Sequence, residues 1–171
     1  FRFESYTRTK SLMTTLHLQI HVIPGNHDTR TVMRDAFADQ LPDRGPLQWT
    51  QAIGDIRLIG LDTLVEGQGL GTLSPESLEF LDIALRDASG APVVLALHHP
   101  PFACGIGFMD AIGLTNRAAL HEITARYSGS LRMICGHIHN MMVTDVAGHI
   151  AISGPSPCST FAYDRRQNAP V

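Results

Sequence analysis

Residues 93–101, VVLALHHPP, join five apolar side chains to two histidines and two prolines. A near-continuous apolar run of this length is typical of a strand that helices bury on both faces. The prolines cannot donate the hydrogen bonds of a sheet ladder, so the strand has to end before them. The stretch therefore predicts a central strand of an α/β protein, and it places His98 at the end of that strand.

Two further polar clusters follow apolar runs in the same way. Residues 24–28 read PGNHD and come directly after LQIHVI at 18–23, while residues 136–140 read GHIHN and come directly after LRMIC at 131–135. A buried strand holds its last side chain at the edge of a sheet, and a following glycine or proline turn leaves room beside it. This layout predicts a metal site assembled at strand ends.

Four histidines in these clusters are candidate ligands, because neutral imidazole binds borderline metals such as zinc, iron(II) and manganese. His98 is the stronger candidate of its pair, whereas His99 has the alternative role of packing or hydrogen bonding beside the site. His137 and His139 stand two residues apart across a glycine turn and can reach neighbouring positions. The alternative for them is a polar turn with solvated side chains.

The Asn26-His27-Asp28 cluster lies where a predicted strand passes into a predicted helix, a position that favours an anion. Asn26 can offer its amide oxygen to a metal, and His27 can donate a proton to a departing alkoxide. Asp28 can orient that imidazole while it caps the helix. If the cluster stood alone, an ordinary turn with capping residues would explain it equally well.

Composition limits the class of protein and its partners. A length of 171 residues suits one domain, and a net charge of −3 without long charge runs gives no footprint for a nucleic-acid polymer or an anionic membrane. No apolar stretch reaches the roughly 18–20 residues of a membrane helix. Three cysteines without C-x-x-C spacing fit a reducing compartment, so the sequence predicts a cytoplasmic protein with small-molecule or protein partners.

Periodicity and turn signals predict helices that alternate with strands and then a set of hairpins, which indicates an α/β sandwich with mixed sheets. The predicted helices cover residues 3–16, 29–39, 76–88 and 116–127. The predicted strands cover residues 18–23, 47–53, 56–62, 93–99, 131–135, 141–146 and 149–153. Residues 102–114 form a predicted glycine-rich loop. Gly54-Asp55 is predicted as a hairpin turn, and Asp62 as a turn residue or a carboxylate beside the site.

In this order and at these spacings, the three clusters resemble the calcineurin-like metallophosphoesterase family. Its motif series runs Asp-x-His, Gly-Asp, Gly-Asn-His-Asp/Glu, a strand-end His and Gly-His-x-His, and the last three are present here. The run from HHPP through FMDAIGLTNRAAL at 108–120 to CGHIHN is most similar to the bacterial branch of class III cyclic-nucleotide phosphodiesterases and glycerophosphodiesterases. The resemblance covers residues 18–153 and implies a sandwich of two mixed β-sheets flanked by helices.

The resemblance also implies roles for individual residues. Asn26, His98 and His137 would bind one metal and His139 the other, with His27 at the phosphate or the leaving group and Asp28 beside it. It implies a dinuclear phosphodiesterase with two manganese, iron, zinc or cobalt ions, in which a metal-bridging hydroxide attacks phosphorus in line. The implied substrate is a cyclic nucleotide or a glycerophosphodiester, and residues 102–114 and 154–163 would wall its leaving group.

The chain also departs from the family's pattern. Residues 1–25 contain no aspartate, so neither Asp-x-His nor Gly-Asp precedes Asn26. We therefore expect residues 1–171 to be one partial domain, without the N-terminal strand-helix-strand portion and without any C-terminal cap, through which relatives form homo-oligomers. For the chain alone we expect no activity and partial or no metal occupancy. A degenerate scaffold or binding module without catalysis is the alternative.

Overall fold

A computed structural model describes residues 3–164 and Arg166, and six strands form one mixed sheet in it. The strands, in chain order, are β1 Trp49–Ile53, β2 Ile56–Gly60, β3 Val93–Ala96, β4 Leu131–Cys135, β5 Met142–Val146 and β6 His149–Ser153. Their order across the sheet is β1-β2-β3-β4-β6-β5. The four inner strands are parallel to one another and the two edge strands are antiparallel to their neighbours. The predicted α/β class with a mixed sheet is confirmed.

Five helices accompany the sheet in the described part of the chain: α1 Phe3–Thr14, α2 Arg30–Ala36, α3 Pro75–Ala88, α4 Gly107–Ala111 and α5 Arg117–Thr124. Helix α3 begins as its sequence predicts, because the Ser74 hydroxyl accepts a hydrogen bond from the Ser77 amide and Pro75 occupies the first turn. Helix α4 is a short addition within the predicted loop 102–114.

Both predicted tight hairpins are present. Gly54 turns β1 into β2 with a φ of 57°, which confirms Gly54-Asp55 as a turn. Ala147 and Gly148 connect β5 to β6 with φ values of 54° and 84°. Two consecutive residues with positive φ match a type I′ turn, whose twist suits a two-residue hairpin.

One face of the sheet carries the main core, because alternate side chains of the inner strands meet the apolar faces of α3 and α5. The fully buried members of this cluster include Ile59, Leu95, Leu81, Leu120 and Met133. On the opposite face Leu58, Val94, Ala96, Ile134 and Ile152 line a groove of about 540 Å³. Ile134 is 45% exposed there, so this face is only partly covered by the described residues.

The prediction of a strand at 18–23 is wrong. Residues 18–23 pair with no strand among the described residues, and a strand requires a partner for its ladder of hydrogen bonds. The segment instead runs past the partly covered face, where the Trp49 indole donates to the Val22 carbonyl at 2.7 Å. The described residues thus form one sheet, whereas the family resemblance implies two.

Candidate metal centre

Parallel strands bring two of the polar clusters to one edge of the sheet. Beyond the ends of β3 and β4 the ladder continues, because the Gly136 amide donates to the His98 carbonyl at 3.0 Å. His98 and His137 therefore lie side by side at the carboxyl ends of neighbouring strands, with ring centroids 5.1 Å apart. Ligand sites in α/β sheets lie in this position.

The PGNHD segment also contacts the histidines at the ends of β3 and β4. The Asn26 side-chain oxygen lies 2.9 Å from His98 Nε2. A Cβ on Gly25 would come within 3.0 Å of the His98 ring, and one on Gly136 would come within 3.6 Å. The backbone at Gly25 therefore approaches the imidazole closely, whereas a Cβ at Gly136 would make an ordinary contact with it.

The GHIHN turn has an unusual backbone. His137 and His139 both adopt left-handed conformations, with φ values of 68° and 57°. Non-glycine residues rarely adopt this conformation, and such strain often accompanies functional sites. Ile138 between them is 1% exposed and packs with Cys104, Ile106 and Met109. Burial of this isoleucine fixes the turn and directs the two histidines to different surroundings.

His137 is oriented by a contact that its motif does not predict. Its Nε2 lies 3.2 Å from the Ile112 carbonyl, just after α4, and can only donate to that oxygen. The proton therefore resides on Nε2, and Nδ1 keeps a free lone pair for a metal. Sequence reasoning missed this role of Ile112 because the residue lies in a segment that the sequence presents as a loop.

His99 has a structural environment although it belongs to the same cluster. The nitrogens of His98, His99 and His137 all lie within 4.8 Å of one another, the only such group of His, Cys, Asp or Glu found among the described residues. His99 is fully buried, however, and both of its ring nitrogens have protein partners: Thr63 Oγ1 at 2.8 Å and the Gly69 carbonyl at 3.1 Å. This geometry favours the alternative role of His99, hydrogen bonding beside the site.

His139 lies against the C-terminal part of the described chain. Its Nδ1 is 3.0 Å from Ser159 Oγ, and its ring stacks on Phe161 with centroids 4.7 Å apart. Phe161 in turn meets Phe108 edge to face. The side of the site around His139 is therefore an aromatic wall, formed by Phe108 and Phe161.

Asp28 does not cap α2 as predicted. Thr29 is the N-cap, while the Asp28 carboxylate accepts hydrogen bonds from the Tyr6 hydroxyl at 2.6 Å and from the Gly25 amide at 2.7 Å. Burial and the Asp28 carboxylate raise the pKa of Tyr6, which keeps the phenol protonated as donor. Asp28 is thus committed to holding the Asn26–Asp28 turn against α1.

Asp62, predicted as a turn residue or a carboxylate beside the site, is the centre of a buried ion pair. Its side chain is fully inaccessible and accepts two hydrogen bonds from the Arg30 guanidinium, at 2.7 and 3.0 Å. It also accepts from the amides of Leu47 and Leu64. Arg30 begins α2 two residues after Asp28 of the PGNHD segment, so this pair connects the site's first motif to the segment just after β2.

Burial gives the cluster histidines the protonation state that metals require. Burial, followed by the charges of neighbouring histidines, lowers the pKa of His98 to about 3. Burial also lowers the pKa of His137 to about 4, against a partial opposing effect of the Ile112 carbonyl. His27 and His139 lie close enough to contribute to both shifts.

The arrangement of donors fits a borderline divalent cation. The Asn26 side-chain oxygen and His98 Nε2 lie within hydrogen-bond distance of each other at 2.9 Å, so Asn26 and His98 present their donor atoms at one position. With His137 they supply one amide oxygen and two neutral nitrogens, a mixed set that zinc, iron, manganese and cobalt accept. The site thus unites Asn26, His98 and His137 and leaves His139 on its aromatic side.

Comparison with known proteins gives a consistent family. A family model described as calcineurin-like phosphoesterase matches residues 2–141. The chain is 32% identical over 169 residues to the probable glycerophosphodiester phosphodiesterase GpdQ of Arcobacter nitrofigilis, covering 97% of this chain and 62% of that protein. It is 32% identical over 139 residues to the 3',5'-cyclic adenosine monophosphate phosphodiesterase CpdA of Escherichia coli K12, covering 81% and 50%.

The chain therefore spans between half and two thirds of the length of these relatives. Among solved structures, a dimetal phosphatase from Danio rerio matches with a TM-score of 0.66 at 15% identity, over 84% of this chain and 63% of that one. At this identity the match shows a shared fold. No helix in the described residues is both long and apolar enough to cross a membrane.

Proposed function

Because this chain belongs to the calcineurin-like phosphoesterase family, we propose that the complete protein is a metal-dependent phosphodiester hydrolase. The observation that carries the proposal is the meeting of Asn26, His98 and His137 at one edge of the sheet. These residues come from three separate motifs: Asn26 and His98 contact each other directly, and the Ile112 carbonyl orients His137 beside them. A structural zinc module would instead use closely spaced thiolates.

Asn26, His98 and His137 would hold one divalent ion, and His139 would contribute to a second. When bound, such ions supply a hydroxide at neutral pH and neutralise charge on the phosphate oxygens. We propose manganese, iron, zinc or cobalt, because amide oxygen and imidazole nitrogen suit all four. The described residues bring no carboxylate into the histidine cluster, so the second site requires ligands beyond it.

His27 would act on the leaving group. Hydroxide attacks phosphorus in line, the bond from phosphorus to the departing oxygen breaks, and its electron pair stays on that oxygen. His27 then gives a proton to this alkoxide, which leaves as an alcohol. Asn26 would position the phosphate beside it, while Asp28, bonded to Gly25 and Tyr6, holds the turn that carries both.

The proposed substrate is a glycerophosphodiester or a cyclic nucleotide, since relatives of both names match the chain over most of its length. Both are small phosphodiesters, and a net charge of −3 without long charged runs in the sequence gives no support for a nucleic-acid polymer. Three free cysteines agree with the proposed cytoplasmic setting.

Hydrolysis of bis(p-nitrophenyl) phosphate by the full-length protein tests the proposal, with manganese, iron, zinc and cobalt added in turn. We expect turnover with at least one metal. His98→Ala should lower it at least 100-fold and lower the bound metal per chain, measured by mass spectrometry of the protein after desalting.

His149→Ala is the matched control. His149 begins β6 at the amino ends of the parallel strands, the end of the sheet opposite the site, where its ring contacts the Thr124 carbonyl. It should retain both turnover and metal content. Full-length protein without hydrolysis in any metal would contradict the proposal and favour a scaffold without catalysis.

A further inference from the structure

We infer that the alcohol group that leaves the phosphate binds in a polar cleft between residues 26–29 and residues 67–69, where Gln68 recognises its hydroxyl groups. This inference rests on the proposed function and assigns a subsite to it. The cleft has a volume of about 390 Å³. That volume lies within the range of roughly 300–1,000 Å³ that small-molecule sites show.

The lining of the cleft is entirely polar or glycine. One wall carries Asn26, His27, Asp28 and Thr29, and the other is the short loop Gly67, Gln68 and Gly69. Asn26 also touches His98, so the cleft opens directly beside the candidate metal centre. Any group that enters it is therefore adjacent to the proton donor assigned to His27.

Contacts with His99 and between its own ends hold the Gly67–Gly69 wall in place. The ends of its loop pair through a bridge between Leu64 and Gly71, and Gly71 is pressed against His99 so closely that a Cβ would lie 2.2 Å from the ring. His99 Nε2 lies 3.1 Å from the Gly69 carbonyl and donates to it. The buried histidine beside the metal ligands thus positions the loop that faces His27.

Arg30 fixes the distance between the two walls. Its backbone amide donates to Glu66 Oε1 at 2.7 Å, and its guanidinium donates to the Leu64 carbonyl as well as to Asp62. The first residue of α2 is thereby tied to both ends of the residue 64–66 segment. A cleft whose walls are already fixed loses little entropy when a ligand binds.

The two sides of the metal centre differ in chemistry, and this decides which group binds where. The His139 side is the aromatic wall of Phe108 and Phe161. The His27 side is the polar cleft, where Gln68 is exposed and offers both a hydrogen-bond donor and an acceptor. Since the proton donor lines the polar cleft, the leaving alcohol binds there, and a polyol such as glycerol or ribose matches its hydrogen-bonding groups.

The family resemblance implies a different position for the leaving group, beside residues 102–114 and 154–163. These segments contain Phe108 and Phe161, so that position is the aromatic wall. The two assignments predict different mutational effects. Measurements on full-length protein should use diglycerol phosphate, a glycerophosphodiester whose leaving alcohol is itself glycerol, and bis(p-nitrophenyl) phosphate, whose leaving group has no further hydroxyl. The informative quantity is the ratio of kcat/KM for the two substrates.

Gln68→Ala should lower this ratio about threefold to tenfold, mainly through KM of the glycerophosphodiester, as loss of one or two hydrogen bonds predicts. Gln51→Ala is the matched control, because Gln51 lies on edge strand β1 and bonds only its neighbour's carbonyl.

Several results would overturn the assignment. An unchanged ratio for Gln68→Ala would exclude the polar cleft, and a lowered ratio for Phe161→Leu in its place would assign the leaving group to the aromatic wall. Equal losses for both substrates would show that Gln68 acts through the fold or the metal centre. Wild-type protein that cleaves neither substrate would contradict the proposed function itself, whereas cleavage with an unchanged Gln68→Ala ratio contradicts only the subsite.

Discussion

Replacement of Asp62 by asparagine tests whether the buried ion pair with Arg30 holds the site's first motif in place. The change keeps the size of the side chain and removes its charge. Asp62 has no accessible side-chain surface, while the Arg30 side chain is 29% exposed. The asparagine amide would also place an N–H group where the carboxylate now accepts from the guanidinium.

The expected cost follows from these contacts. Breaking a buried ion pair by removing one partner costs about 3–5 kcal/mol, and the partial exposure of Arg30 places this case near the lower end. Leu47 donates to one carboxylate oxygen of Asp62 and Leu64 to the other, so asparagine can accept from only one of these amides, which makes the lower end a minimum cost. We therefore expect the free energy of unfolding to fall by at least about 3 kcal/mol. That is a large fraction of the roughly 5–15 kcal/mol of a typical domain.

Urea denaturation followed by far-ultraviolet circular dichroism measures the effect. With a slope of about 2–3 kcal/mol per molar urea, the midpoint should fall by at least about 1–1.5 M at an unchanged slope. Asp82→Asn is the control, because the Asp82 carboxylate also pairs with two arginines but at the surface. Its midpoint should stay close to that of the wild type. Equal midpoints for the two variants would refute the reasoning.

Further predictions concern packing, protonation and metal binding. Gly71→Ala should destabilise the chain by about 1–3 kcal/mol, because the added Cβ would lie 2.2 Å from His99. Gly69→Ala is the control, since its Cβ would make only ordinary contacts. Similar thermal midpoints for the two variants would contradict this prediction. In metal-free protein, His98 and His137 have pKa values depressed below the ordinary value of about 6.5, so the unfolded state binds protons first as pH falls. The stability that the neutral His98 and His137 contribute above pH 6.5 should be lost progressively toward pH 4. A thermal midpoint that does not change between pH 7.5 and pH 5 would disprove this prediction. Calorimetric titration of residues 1–171 with manganese should show at most one partly filled site, since the predicted ligands include no carboxylate; two tight sites would exclude this expectation.

Local signals were enough to predict most of the elements. Helix α3 begins at Ser74 and Pro75 because one side chain caps the first turn and the other already has the helical φ. The hairpin turn at Ala147-Gly148 likewise depends on two neighbouring residues. Apolar periodicity located the inner strands for the same reason, since each strand shows its own burial pattern.

The features that the sequence did not predict depend on contacts between residues that are distant in sequence. Residues 18–23 have the composition of a buried strand, yet no strand in the described residues pairs with them. The pairing of Arg30 with Asp62 joins positions 32 residues apart and leaves no periodic trace. His99 could be told apart from His98 only by its contacts with Thr63 and Gly69, which depend on the folded arrangement of other segments.

The geometry of the GHIHN turn explains why the site needs the surrounding fold. Left-handed conformations at His137 and His139 cost about 1–2 kcal/mol each, so the turn is unfavourable by itself. Full burial of the Ile138 side chain contributes roughly 1.5–3 kcal/mol, a similar amount of opposite sign. The histidines are thus held in their divergent directions by the apolar cluster of residues 104–109 beneath Ile138, a segment outside every metal motif. The same segment carries Phe108 of the aromatic wall, so this cluster connects the aromatic wall to the directions of His137 and His139.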